Sequence, residues 1–241
     1  MKKIKKGSEP VELVDFVNEN PRGSWSEFRN DRQGASYQAV RRQAALDQGS
    51  LCAYCEVQFD KNNQQASIEH FHPKADVSDP NINWALNWQN MLAVCRGGRE
   101  GDKDQFPTPE NLSCDAYKDH VGGSQELLNP LNAPLGKIYQ FDKATGELHV
   151  DPQLECCVVE QVKQAIKILN LNCYRLRSAR LTVLNAYNRE IKKAREKNNR
   201  QIKHQLVERW FGVRWPSYFT TRRCLLGNTA ESYLKKIAFE G

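Results

Sequence analysis

Cys52 and Cys55 stand two residues apart in CAYCE, and an acid–imidazole pair, Glu69-His70, follows in SIEHFHPK. A Cys-x-x-Cys pair lets two thiolates reach one zinc ion at ~2.3 Å, and a zinc that holds structure takes two further ligands. Cys95 opens CRGGRE, with Gly98 where a paired knuckle would carry its second cysteine. The next cysteine is Cys114, beyond the polar insertion RGGREGDKDQFPTPENLS. Closing a surface loop of that length costs little extra entropy. Cys52, Cys55, Cys95 and Cys114 can therefore form one four-thiolate zinc site, with His120 as the alternative fourth ligand. A thioredoxin-like dithiol competes for the first pair, but the flanks lack the βαβ pattern around it.

The residues fall in a particular order. Cys-x-x-Cys is followed by Glu69-His70, then by Asn90 before an apolar run into Cys95, then by Cys114-Asp115-Ala116-Tyr117-Lys118. This order resembles the HNH, or ββα-metal, nuclease family, whose zinc-braced members carry C-x-x-C, [D/E]-H, N-L and C-x-x-C-[H/N]-x-x-K. Two departures stand out: the insertion splits the second knuckle, and Asp115 replaces the last His or Asn. More narrowly, CAYCE, IEHFHPK, the tryptophan–asparagine run and the split C…CD-x-x-K resemble the PtuB-like HNH subunit of retron and Septu-type antiphage systems. That likeness covers about residues 50–120.

The resemblance implies specific roles. Glu69 and Asp115 match ligands of a catalytic divalent cation, His70 the general base, and Asn90 the residue that steadies the base-bearing loop. The chemistry is coherent on its own terms. Phosphodiester hydrolysis needs a base titrating near neutrality and a cation to offset charge on the leaving oxygen. Hard oxygen ligands suit Mg²⁺ or Mn²⁺, whereas four thiolates suit Zn²⁺. His72, Lys74 and Lys118 are candidate phosphate or substrate contacts, His72 sharing the strand face of His70 if the strand persists. Trp84 and Trp88 fit packing against the metal-held core better than base stacking. The resemblance further implies an ABC/SMC-like (PtuA-like) ATPase partner and, in retrons, a reverse transcriptase with its RNA–DNA hybrid.

These groups must be positioned by a largely helical chain. Residues 8–50 read as helices, with a capping box at Ser24-Trp25-Ser26-Glu27 and a stop at Gly49. Residues 52–122 are rich in turn formers and hold too little apolar material for a core of their own. KIYQFDKATGELHV, 137–150, reads as a β-hairpin. Val158, Val162, Ala165, Ile166 and Leu169 recur at helical spacing. A second helix is expected from Leu176 to Phe211, interrupted or exposed at EKNNRQ, and a short one over 229–239. The expected fold is α+β and mostly helical: a helical segment over 1–50, a zinc-braced ββα-metal core over 51–125, and a hairpin with basic helices over 126–241.

The 241 residues carry a net charge of +6, unevenly spread. Residues 175–223 hold 14 basic side chains against three acidic ones, so the rest of the chain is net acidic. Such asymmetry points to a nucleic acid or an acidic partner. No run is long and apolar enough for a membrane span, and the basic start MKKIKKGSEP lacks a leader's apolar stretch, so a cytoplasmic location is expected. Eight cysteines in such a chain argue for metal binding and packing over disulfides. Cys156, Cys157, Cys173 and Cys224 are expected to pack.

The reading is a metal-dependent endonuclease acting on DNA or RNA, transfer RNA included, as the toxic effector of an antiphage system. The competing class is a non-catalytic zinc module that binds nucleic acid or scaffolds the ATPase. It would keep the cysteines without needing Glu69, His70 and Asp115 together.

Overall fold

The computed structural model describes residues 1–60, 62–121 and 127–241. It opens with three helices, α1 (Val11–Glu19), α2 (Trp25–Asn30) and α3 (Ala35–Asp47). The Ser24 hydroxyl accepts from the Glu27 N–H while the Glu27 carboxylate accepts from the Ser24 N–H, so both ends of the capping box are made. Helix α3 stops where Gly49 takes φ 69°; a Cβ there would fall 2.3 Å from the Trp215 ring. The buried sides of these helices present Leu13, Phe16, Phe28, Val40 and Ala44 to the main core.

Two four-residue strands follow. Strand β1 (Ser67–His70) and β2 (Met91–Val94) pair antiparallel, with Glu69 opposite Leu92 and His70 opposite Met91. All four β2 residues are buried, and α3 covers the pair. Helix α4 (Cys114–Val121) comes next in the chain. The boundary expected at 125/126 falls among residues 122–126, outside those described. Beyond it, β3 (Tyr139–Phe141) and β4 (Leu148–Val150) form the expected hairpin.

Helix α5 (Cys156–Ile168) buries Val162, Ala165 and Ile168. Cys173 is buried and Cys224 half-buried against the core, as expected of packing residues. Cys156 and Cys157 are exposed instead. They sit in the first turn of α5, ahead of its buried stripe, so the packing expectation fails for those two.

The long helix expected over 176–211 is two: α6 (Tyr174–Glu196) and α7 (Ile202–Phe211). EKNNRQ breaks it, with Asn198 at φ 53°. Asparagine tolerates that left-handed conformation better than most residues. Helix α8 (Phe219–Leu226) was not anticipated; α9 (Asn228–Lys236) was. Helices α7, α8 and α9 share a second apolar cluster built on Leu206, Trp210, Phe211, Phe219 and Leu234.

The basic N-terminal segment is a strap rather than a solvated tail. Met1, Lys2 and Ile4 are each under 7% exposed. The Ile4 N–H donates to the Pro130 carbonyl. The Lys6 ammonium donates to the carbonyls of Trp88 and Met91 and lies 3.1 Å from the Trp88 ring centroid. Among the described residues, no helix is long and apolar enough to cross a membrane.

Candidate active site and metal centre

Four thiols meet where β2 ends and α4 begins. The Sγ atoms of Cys52, Cys55, Cys95 and Cys114 all lie within 4.8 Å of one another. Cys52–Cys114 are 3.8 Å apart, Cys55–Cys95 3.6 Å and Cys95–Cys114 3.9 Å. Disulfide sulfurs sit at about 2.05 Å. A tetrahedron of thiolates about 2.3 Å from a central zinc has edges of about 3.8 Å, so the cluster fits a zinc ion in size and donor type. Burial opposes charge on Cys52, but hydrogen bonds from Cys114, Cys55 and Cys95 hold its thiol well below the usual value. Cys114 is pushed well above it, first by its contact with Cys52. Such crowded sulfurs share negative charge easily only around a cation.

The split knuckle has a steric reason. At Gly98, φ is 91°, and a Cβ would fall 2.9 Å from the Arg175 Nε and 3.0 Å from the Asn111 carbonyl oxygen. No side chain fits where the pattern would place a cysteine, so the fourth sulfur comes from Cys114. That residue is held at φ 57°, a strained conformation for cysteine. His120 is exposed further along α4 and takes no part in the cluster.

Glu69 and His70 close β1. Successive strand side chains leave opposite faces, and here α4 meets Glu69 while α2 backs His70. Glu69 is 7% exposed and its carboxyl is ion-paired with Lys118. Burial, then the neighbouring Asp115 carboxyl, push its pKa up to about 8 against the pull of Lys118. His70 Nε2 lies 2.9 Å from the Ala85 carbonyl oxygen, which can only accept, so Nε2 carries the proton. The Trp25 ring stands edge-to-face on the imidazole at 4.5 Å. Burial, aided by Lys74 and Lys118, lowers the His70 pKa to about 4. The ring is neutral, with Nδ1 as its free lone pair.

The remaining expected residues divide. Asn90, 3% exposed, donates to the carbonyls of His72 and Trp84 and accepts from the His72 N–H, tying two loops together. His72 lies past the end of β1, so it shares no strand face with His70; its Nε2 is 2.6 Å from Asp76 and its ring 4.0 Å from Trp84. Lys74 is exposed. Trp88 is buried and donates to the Gly7 carbonyl, whereas the buried Nε1 of Trp84 has no partner among the described residues. Trp84 separates two clefts, one of about 1160 Å³ beside Trp25, Lys74 and Ala85, the other of about 810 Å³ beside Phe71, His72 and Asn90.

No family model matches the chain. Two curated relatives do. A protein provisionally named the HNH endonuclease of retron Ec83, from Escherichia coli, is 36% identical over 94% of this chain and 93% of its own length. The chain belongs to the HNH endonuclease family. The Septu protein PtuB of Bacillus thuringiensis is 33% identical over 73 residues, covering 29% of this chain and 27% of its own.

Several contacts within this HNH endonuclease were not visible beforehand. Trp25 stands in a capping box, and nothing in spacing links it to a histidine 45 positions away. The Ala85 carbonyl is a backbone group and leaves no sequence signal. Arg175, counted only as one charge among many, donates from Nη2 to the Ser113 hydroxyl at 2.7 Å and from Nε to the Asn111 carbonyl. It thereby fastens the start of α6 to the residue preceding Cys114.

Proposed function

We propose that this HNH endonuclease hydrolyses phosphodiester bonds of a nucleic acid as the effector of an antiphage system, with residues 51–125 as its zinc-braced ββα-metal core. The observation that carries the reading is one convergence. A buried carboxyl on β1, Glu69, and a carboxyl on α4, Asp115, lie close enough to act on each other's charge, and the next residue of β1 is an imidazole whose Nε2 proton is fixed by the Ala85 carbonyl. Two carboxyls crowded together resist ionising without a nearby cation, and the Lys118 ammonium supplies that charge on Glu69 here.

Mg²⁺ or Mn²⁺ held by Glu69 and Asp115 would supply positive charge to the scissile phosphate and its leaving oxygen. The chain's own groups do the rest. His70 Nδ1 accepts the proton of the attacking water while the Ala85 carbonyl keeps Nε2 protonated and the ring oriented. Asn90 ties the chain just past His70 to Trp84 through their carbonyls, and Trp25 closes the apolar side of the ring. With a cation held by the carboxylates, Lys118, now paired with Glu69, would be available to the phosphate. Zn²⁺ in the cysteine cluster would bind β2 to α4 and so keep Glu69 and Asp115 together.

Water attack needs no 2′-hydroxyl, so DNA and RNA are both chemically accessible. The relatives' names support a retron or Septu setting. In that setting the protein works in the cytoplasm with an ABC/SMC-like (PtuA-like) ATPase and, in a retron, a reverse transcriptase with its RNA–DNA hybrid. The test is to incubate the ATPase-bound complex with labelled plasmid, single-stranded DNA and total RNA, with and without Mg²⁺. Cutting of one polymer class only with the metal is expected. Complete inertness towards all three would refute the enzyme reading in favour of a zinc scaffold.

A further inference from the structure

The excess positive charge of residues 175–223 separates into two populations once the fold is known. One is structural. Arg180 is buried against the carbonyls of Gly146 and Leu171, and Arg177 pairs with Glu147. Arg209 pairs with Glu190 through two bonds, Arg223 with Glu231, and Arg222 lies over Trp210. The other population is free. Arg189, Lys192, Lys193, Arg195, Lys197, Arg200, Lys203 and Arg214 are all exposed, and among the described residues none of them makes an ion pair.

All of these but Arg214 lie in the last turns of α6, the turn after it and the start of α7. Arg189, Lys192, Lys193 and Lys197 follow i, i+3, i+4, i+8 spacing, which places them on one side of the helix. Tyr187, Ile191 and Ala194 pack on the other side. The only acids within 189–203 are Glu190, already held by Arg209, and Glu196. Like charges gathered this way repel one another unless a polyanion lies across them.

The geometry points to a backbone track for double-helical nucleic acid, remote from the reaction centre; this inference rests on the nuclease reading above. Helix α6 begins at the candidate site, since Arg175 is bonded to Ser113, two residues from Asp115. From Arg175 to Lys193 is 18 residues, or about 27 Å of helix, equal to about eight base pairs at 3.4 Å each. A substrate long enough to reach both places gains contacts a short one lacks. A duplex is stiff over that span and can meet two fixed points without first being ordered. Proteins that grip single strands stack bases on exposed aromatic rings. Residues 189–203 contain none, and the neighbouring Tyr187 is half-buried and Trp210 buried; the exposed Tyr174 stands at the other end of α6, beside Arg175.

The test compares the full chain with the triple variant Lys192→Gln, Lys193→Gln, Lys197→Gln by fluorescence anisotropy, in Ca²⁺ to suppress cutting. Probes are DNA and RNA hairpins with stems of about 6 and about 20 base pairs and a single strand of matching length, and zinc content serves as the folding control. The parent should bind the long stem at least about tenfold more tightly than the short one. The variant should lose that gain, and its salt dependence on the long stem should flatten by about 2.7 in log–log slope. Whether the DNA or the RNA stem gains more identifies the source of the duplex.

Equal affinity of the parent for both lengths would overturn the inference, as would a variant that keeps the long-stem advantage. Tighter binding of the single strand would overturn the duplex assignment. Retained duplex binding with loss of a co-expressed protein partner would replace the track with a protein-docking face. Length-dependent binding without cutting under Mg²⁺ in the ATPase-bound complex would keep the track and remove the nuclease reading. Cutting by that complex that ignores the triple substitution at every length would do the reverse.

Discussion

His70 sits between two demands. To take a proton from water it must be neutral, and to aim Nδ1 it must hold its other nitrogen fixed. Burial serves the first demand and the Ala85 carbonyl the second. Removing the ring should therefore act on chemistry and not on folding. His70→Ala in the ATPase-bound complex is expected to lower the cutting rate by about 10²–10⁴-fold, with zinc content and helicity unchanged. A His70→Ala complex that cuts at the parental rate would remove the base assignment. At this scale the sequence reveals adjacency but not environment. Glu69 and His70 are neighbours in the chain, so the pair can be read directly. That Asp115 reaches Glu69 across 46 positions was reached through family resemblance. The Trp25 wall and the Ala85 carbonyl escape both kinds of reading, because neither an indole 45 residues away nor a backbone oxygen leaves a motif. Lys118, expected to meet phosphate, is paired with Glu69 in this structure.

Among the elements, the short strands and α4 meet at the cysteine cluster as well as in the main core. The pair β1–β2 spans four residues per strand, and α4 eight. Cys52 and Cys55 lie before β1, Cys95 directly after β2, and Cys114 starts α4, so a central ion would join all three elements. Cys114→Ser is expected to reduce bound zinc below one equivalent. It should cost about 4 kcal/mol, as losing a metal ligand does, and at 2–4 °C per kcal/mol lower Tm by roughly 8–16 °C. A variant with full zinc and an unchanged melt would show that Cys114 is not a ligand. Helices with a clear apolar stripe or a full capping box were readable: α2, α3 and α5 appear where periodicity puts them. Helix α8 was not. Its FTTRRCLL run contains two threonines, poor helix formers, and Tyr218 before it sits at φ 64°. Its support is tertiary, with the Thr220 N–H and hydroxyl both donating to the buried carboxylate of Glu56, 164 residues earlier.

For the whole molecule, periodicity and turn chemistry read the chain as α+β, and the structure is mixed, with helices around two two-stranded sheets. The packing of its basic beginning is not legible in the sequence: Met1 and Ile4 enter the main core, and Lys6 reaches the carbonyls of Trp88 and Met91. Lysines bury their stems and spend their ammonium groups on carbonyls, which no charge count distinguishes from exposure. The same ambiguity runs through the basic C-terminal third, where some cations serve internal contacts and others, Lys192, Lys193 and Lys197 among them, stand exposed.

The account turns on two cations held in different places by different ligands, and diffraction with element-specific anomalous scattering observes both at once. Crystals of the protein soaked in Mn²⁺ and measured at the zinc and manganese edges should show zinc amid Cys52, Cys55, Cys95 and Cys114. Manganese should appear separately, between the carboxylates of Glu69 and Asp115 on the Nδ1 side of His70. Manganese absent from those carboxylates at saturating concentration, with the two side chains turned away from the ring, would contradict it.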